Sequence, residues 1–249
     1  MLTRSASLVV FWVLGLFWID SAPAVAEGSS GQGAATMIMF AAHDAVQTEL
    51  GMDDEVASEA RMIAGTFGQE MQIAIQKKGL GLGAMQKLRG LNEAERAAKM
   101  KVIRAQTGEI NARLTDKFLP RLKKALTDDQ FSRLQEITWQ ALGSQAMTDP
   151  GMSEQLQLTS EQTEKIGVIN DDYSEREGVL VQSAFRGGGE ATDFQAIDTK
   201  LQALASERDT KVRKLLTKSQ QQKYLLLRGK PFDMSALKAG LKPTPPPDK

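Results

Sequence analysis

The stretch RLKKALTDDQFSRL (Arg121–Leu134) aligns without a gap with a later stretch, KVRKLLTKSQQQKY (Lys211–Tyr224). Both contain the pattern Leu-Thr-x-x-Gln, and a third copy begins at Leu158. In this pattern the Thr oxygen accepts the backbone N–H of the Gln, and the Gln side chain accepts the N–H of the Thr, which forms a capping box. Each copy is therefore predicted to start a helix, and the chain to be duplicated. The motif residues are Thr127, Gln130, Thr159, Gln162, Thr217 and Gln220.

The same order of elements is predicted in both halves of the chain. A degenerate motif at 52–56, with Asp53 in the Thr position, opens the first half. Each half then has a helix with one apolar face, a glycine-rich loop (79–83 or 187–189) and a second such helix. Pro120 is expected to kink or break the second helix of the first half. The predicted fold is all-α: two tandem antiparallel helical hairpins, each closed by a shorter LTxxQ-capped helix, in an elongated body.

The N-terminus has the features of a secretory signal. Arg4 precedes an apolar run, Leu8–Ile19, and small residues follow at Ala24–Ala26. The apolar run would span only about 18 Å as a helix, whereas a bilayer core is about 30 Å thick, so a cleaved signal is favoured over an anchor. The protein is expected in the periplasm or outside the cell. The expected organisation is a signal peptide at 1–26, a flexible spacer at 27–36, a first helical half at 37–148, a second at 149–230 and a proline-rich disordered tail at 231–249.

Composition excludes several classes of function. The chain has no cysteine, hence no disulfide and no thiolate metal site, and its formal net charge is zero. A neutral exported chain is not expected to bind nucleic acid or insert stably into a membrane. It has a single histidine, so HExxH sites are excluded and a His-based triad would depend on this one residue. We expect no enzyme activity and no cofactor.

Three residues near the N-terminal end are weak metal-ligand candidates. His43, with Met37 and Met39, offers soft ligands for copper or nickel. A flexible leader with incidental methionines is the favoured interpretation, because no second histidine or thiol completes the set.

Two further residues are candidates for a surface that binds a partner protein, which we call a client. Arg208 falls in the middle of an apolar helical stripe, where an unpaired guanidinium is very costly. It either pairs with a carboxylate such as Glu177, which is the favoured alternative, or faces an open concave surface. Trp139 falls beside the inner arc of its helix, where it either packs against the other half or meets a client.

Three LTxxQ motifs in an exported, cysteine-free helical chain resemble the LTxxQ-motif (Spy/CpxP-like) family of bacterial cell-envelope proteins. Proteins of this family are similar to a single hairpin that dimerises into a cradle, so this chain resembles a tandem version. The resemblance implies an ATP-independent chaperone or stress sensor that binds unfolded or partly folded envelope proteins. A sensor or regulator partner and a homodimer are left open. The alternative functions are a metal-binding or metal-sensing periplasmic protein and a structural helical scaffold.

Overall fold

The structure, a computed structural model, describes residues 31–88, 90–186 and 191–239. Among them there is no β-strand, so the predicted all-α class is confirmed. No helix in these ranges is both long and apolar enough to cross a bilayer. The predicted signal peptide lies outside the described residues.

The helices are α1 (Gly31–Phe40), α2 (Asp44–Glu49), α3 (Asp54–Lys77), α4 (Leu82–Leu88), α5 (Glu93–Ala125), α6 (Asp128–Leu142), a 3-10 helix (Gly143–Thr148), α7 (Pro150–Leu156), α8 (Ser160–Arg186), α9 (Ala191–Leu215), α10 (Lys218–Leu227) and α11 (Met234–Ala239).

The long helices pack in two pairs, α3 with α5 and α8 with α9. The first pair runs antiparallel, because Lys117 bonds Glu70 at 2.6 Å whereas Arg121, further along α5, reaches back to Glu59 at 3.9 Å. Both ion pairs are largely exposed, so each contributes only about 0–1 kcal/mol. The two cores carry most of the stability.

Helix α5 continues through Pro120, contrary to the predicted break. Proline removes one backbone N–H from the helical ladder. Pro120 and Asp116 are both exposed, so water can reach the carbonyl group that loses its partner. Helix α5 begins at a capping box formed by Asn92 and Glu95.

The same aligned positions are buried in both halves of the chain. The buried positions Leu122, Leu126 and Leu134 match Val212, Leu216 and Tyr224, which are also buried. The first helices of the two halves are aligned by pairing the motif at 52–56 with the motif at 158–162. Val46 then matches Met152, and both are fully buried. Gly51 (φ +58°) matches Gln157 (φ +52°), so α2 and α7 both end in a left-handed residue.

Helix α6 belongs to both halves. Leu134 and Ile137 lie in the first core, whereas Trp139 and Leu142 lie in the second. The 3-10 helix that follows packs on α8 and α9, as α1 packs on α3 and α5. The predicted boundary at 148/149 is therefore wrong: the second core already begins within α6.

The predicted flexible spacer at 27–36 is wrong for residues 31–36, which lie in α1. Ala34, Ala35 and Thr36 are buried where α1 packs on α5. Small side chains allow this close packing, and the burial of α1 outweighs the glycine-rich composition that suggested a spacer.

The predicted disordered tail at 231–249 is wrong for residues 231–239. Phe232, Met234 and Leu237 pack against the first core, and α11 contacts α2. Gln140 anchors this segment: its Nε2 donates to the carbonyl of Lys230 at 2.7 Å, and its Oε1 accepts from the N–H of Phe232 at 2.8 Å. Residues 240–249 lie outside the described part of the chain.

Candidate functional site

All three LTxxQ motifs form the predicted capping boxes. In the last one the Thr217 Oγ1 accepts from the Gln220 N–H at 3.2 Å, and the Gln220 Oε1 accepts from the Thr217 N–H at 2.9 Å. The boxes of Thr127 with Gln130 and of Thr159 with Gln162 have the same bonds, at 3.0–3.2 Å. At the degenerate motif Asp53 accepts from the Val56 N–H, but valine cannot return the bond. The interpretation as helix caps is confirmed.

The motif glutamines also join helix ends that are distant in sequence. Gln162 and Gln220 bond each other through their amides, at 2.9 and 3.0 Å. Gln162 Nε2 also donates to the carbonyl of Leu215, and Gln220 Nε2 to that of Leu156. These carbonyls belong to the last turns of α9 and α7, where the helix itself supplies no partner. The two glutamines therefore cross-link four helix ends at one point.

The first half has only part of this tether. Gln130 Nε2 donates to the carbonyl of Leu50 at 3.2 Å, and Leu50 is the equivalent of Leu156. Val56 stands where the second half has Gln162, so no amide pair forms. The sequence interpretation assigned the glutamines to capping alone. Their contact could have been inferred from the matched positions of the motifs in each half, which bring the motif glutamines together.

We expect the tether to make Gln220 more important for stability than Thr217. Thr217→Ala should cost about 1 kcal/mol and Thr217→Ser almost nothing, since only the hydroxyl caps the helix. Gln220→Ala should cost more, because it also frees the Leu156 carbonyl and Gln162. Urea unfolding of Gln162→Ala, Gln220→Ala and the double variant should give a coupling energy above about 0.5 kcal/mol. Additive losses would show that the amide pair contributes nothing, and Gln130→Ala is the control without an amide partner.

Arg208 is buried in an ion pair, as the favoured prediction states. It is 5% exposed, and its guanidinium lies 3.4 Å from the carboxylate of Glu177, which is 9% exposed. Asp209 lies 3.9 Å from the Arg208 Nε and accepts from the N–H of Ser144. The assignment of Arg208 to a client surface is wrong, because its carboxylate partner is inside the α8–α9 pair.

This ionic layer replaces an aromatic layer of the first half. Phe118 is the equivalent of Arg208, and Met71 of Glu177. Phe118 meets Phe67 edge to face, with centroids 5.8 Å apart. Buried side-chain polar atoms without a hydrogen-bond partner among the described residues occur in both halves. On α5 they are the Nε of Arg104, the Oγ1 of Thr107 and the Oδ1 of Asn111, and in the second half they include the Oγ of Ser144, both amide atoms of Asn170 and the Nε of Arg208.

Trp139 is 3% exposed and lies in the second core, so its assignment to a client surface is also wrong. The sequence interpretation placed it beside the inner arc of α6, either packing against the other half or meeting a client, and the structure shows the packing. Because α6 serves both halves, the edge of this arc is the inner face of the second half.

His43 is a structural residue rather than part of a flexible leader. Its Nδ1 accepts from the Ala45 N–H at 3.3 Å and caps α2, and its Nε2 lies 3.2 Å from the carbonyl of Leu237. A neutral ring with its hydrogen on Nε2 makes both bonds. Met37 is buried in the first core and Met39 packs partly against it. A metal ion would have to displace these contacts, and no group of three His, Cys, Asp or Glu side chains in the described ranges is placed to hold one.

The outer face of α3 has no charged residue along about 27 Å, from residue 58 to residue 76. Its residues span about 120° of the helix circumference. Met62 is 57% exposed and Ile73 42%. The exposed residues of this face, which we call the α3 stripe, are Ser58, Met62, Gly65, Thr66, Gln69, Gln72, Ile73 and Gln76.

The equivalent face of α8 is acidic. Val168 and Val179 stand at the positions of Met62 and Ile73 and are also exposed. The positions between and beside them carry four acids in place of the uncharged residues of α3: Glu164, Asp171, Asp172 and Glu175. The two halves therefore differ on their outer faces as well as in their cores.

A second exposed apolar feature lies on α10. Leu225 and Leu226 are 64% and 78% exposed and form one wall of an open groove of about 680 Å³ between α10 and α6. The opposite wall is ionic, since Arg133 pairs with Glu49 at 2.6 Å and Glu136 at 2.7 Å. This mixed groove is less suited to apolar segments than the α3 stripe.

Fold and site together define an all-α protein whose two halves share α6, and in which motif glutamines tether helix ends within each half. Comparisons with protein-family models, with curated proteins and with solved structures found no match.

Proposed function

We propose that this chain is an exported, non-enzymatic cell-envelope protein that binds unfolded or partly folded proteins without nucleotide. Its LTxxQ motifs, which resemble those of the Spy/CpxP-like family, support this class. The observation that carries the proposal is the α3 stripe. In a chain of which 25% is charged, eight neighbouring exposed positions are uncharged, and two of them are large and apolar.

An uncharged face of this kind suits short apolar segments of many sequences. The core of a protein interface is depleted of charged residues, because each charge must lose its water when the partner binds. Methionine adapts to irregular surfaces and is common where one protein binds many partners. Unfolded proteins expose apolar segments that folded proteins bury, so they are the partner class that fits.

The proposal predicts that the protein delays aggregation on its own. A chain beginning at Glu27 should slow light scattering by an unrelated protein that unfolds on dilution from denaturant, at near-stoichiometric ratios and with no nucleotide. The control is a stable helical protein of similar size and charge that has no such uncharged exposed helix face. Unchanged scattering at a severalfold molar excess would contradict the proposal and favour a structural scaffold.

A further inference from the structure

We infer that the α3 stripe recognises the main chain of an extended segment in the client, using glutamine amides, with Met62 and Ile73 as apolar contacts on the same face. This inference rests on the proposed function and names the chemistry of its partner. An extended segment of an unfolded protein has free backbone N–H and C=O groups, whatever its sequence. A primary amide carries both a donor and an acceptor, so it can pair with either group.

The spacing of the glutamines fits an extended chain. Gln72 and Gln76 are four residues apart on α3, which is a rise of about 6 Å. Backbone groups on one edge of an extended chain recur every two residues, or about 6.6 Å. Gln69 lies one turn earlier on the same face. The amides of Gln72 and Gln76 can therefore meet successive groups on one edge of the client segment, and Gln69, about 4.5 Å before Gln72 along the axis, offers a third amide.

The α3 stripe has no side chain at Gly65, between Met62 and Gln69. Gly65 is exposed, and a Cβ built there would meet nothing within 4 Å. A partner chain can therefore approach the helix closely between Met62 and Gln69. Met62 and Ile73 are separated by about 16 Å along the axis, so they can contact two different apolar side chains of the client, one before the amides and one beside Gln72.

The size of the stripe favours a transient client over a second copy of this protein. A stable dimer interface uses about 20–30 residues from each partner. The stripe has eight. A small contact with low affinity suits a protein that must release its clients, and an uncharged contact places no restriction on the charge of the client.

The test uses a fluorescent decapeptide of alternating Leu and Ser, and the same peptide with alternate backbone nitrogens methylated so that one edge has no N–H donors. Binding is followed by fluorescence anisotropy. We expect methylation to weaken binding at least tenfold. Gln69→Leu/Gln72→Leu/Gln76→Leu should weaken binding of the unmodified peptide by a similar factor and leave that of the methylated peptide almost unchanged. Leucine is as good a helix former as glutamine, so circular dichroism should be unaltered.

The acidic face of α8 provides the matched control. Glu175→Leu removes a polar side chain at the position equivalent to Gln69 and should not weaken either peptide. If the wild-type protein delays aggregation but methylation and the glutamine changes leave affinity unchanged, the inference is wrong and the proposed function stands. If sedimentation shows that the glutamine changes dissociate a dimer, the occupant is a second copy and the inference is equally wrong. Failure of the wild-type protein to delay any aggregation overturns the proposed function itself.

Discussion

Arg208→Ala should destabilise the second half by about 3–5 kcal/mol, because it leaves the carboxylate of Glu177 buried without its cation. The double variant Arg208→Phe/Glu177→Met should recover most of this loss. It installs the residue types that the first half has at the equivalent positions, Phe118 and Met71. Replacing a buried ion pair by well-packed apolar residues is often neutral or stabilising by about 1–4 kcal/mol.

Urea unfolding of the chain beginning at Glu27 measures both effects. Arg176→Ala is the control: it breaks a pair with Glu207 on the same two helices, but both side chains are more than 40% exposed, so about 0–1 kcal/mol is expected. A double variant as unstable as Arg208→Ala would show that the neighbouring polar groups require the ion pair. A loss below 1 kcal/mol for Arg208→Ala would show that water reaches Glu177.

The difference between the two core layers bears on how the duplicated halves diverged. At equivalent positions the first half has an edge-to-face pair of phenylalanines, whereas the second has the buried ion pair of Arg208 and Glu177. The stability of the double variant Arg208→Phe/Glu177→Met relative to the wild-type protein therefore measures what this difference between the two layers costs.

Features set by local chemistry were predictable from the sequence. The full pattern Leu-Thr-x-x-Gln supplies both bonds of a capping box and recurs at matching places, so the starts of α6, α8 and α10 followed directly. The ion pair of Arg208 was also predictable, because the desolvation of a lone guanidinium excludes most alternatives.

Features set by the meeting of distant helix faces were not predictable. The stretch that contains Ala34 and Ala35 has the composition of a linker, but it forms a helix that packs on α3, α5 and α6. The bond between Gln162 and Gln220 depends on two helix starts that are far apart in sequence. The α3 stripe became visible only when burial showed which face of α3 is outward.

Trp139→Ala should cost about 3–5 kcal/mol, as expected for removal of a large aromatic side chain from a core. The loss should fall mainly on the second half, since Trp139 belongs to the second core while Leu134, on the same helix, belongs to the first. Trp139→Phe should cost less, because it leaves a smaller cavity. In a chain beginning at Glu27 this residue is the only tryptophan, so its emission reports on the second core without labelling.

The emission of Trp139 also separates a core role from a client-binding role. A buried indole in an apolar core should emit at short wavelength, and a saturating unfolded client lacking tryptophan should leave that emission unchanged. Urea should shift it to long wavelength in the same transition that the Arg208→Ala substitution moves to lower denaturant, because both residues stabilise the second half. A client-dependent shift, together with a Trp139→Ala variant of normal stability, would place Trp139 at the surface and contradict the packing of α6 against both cores.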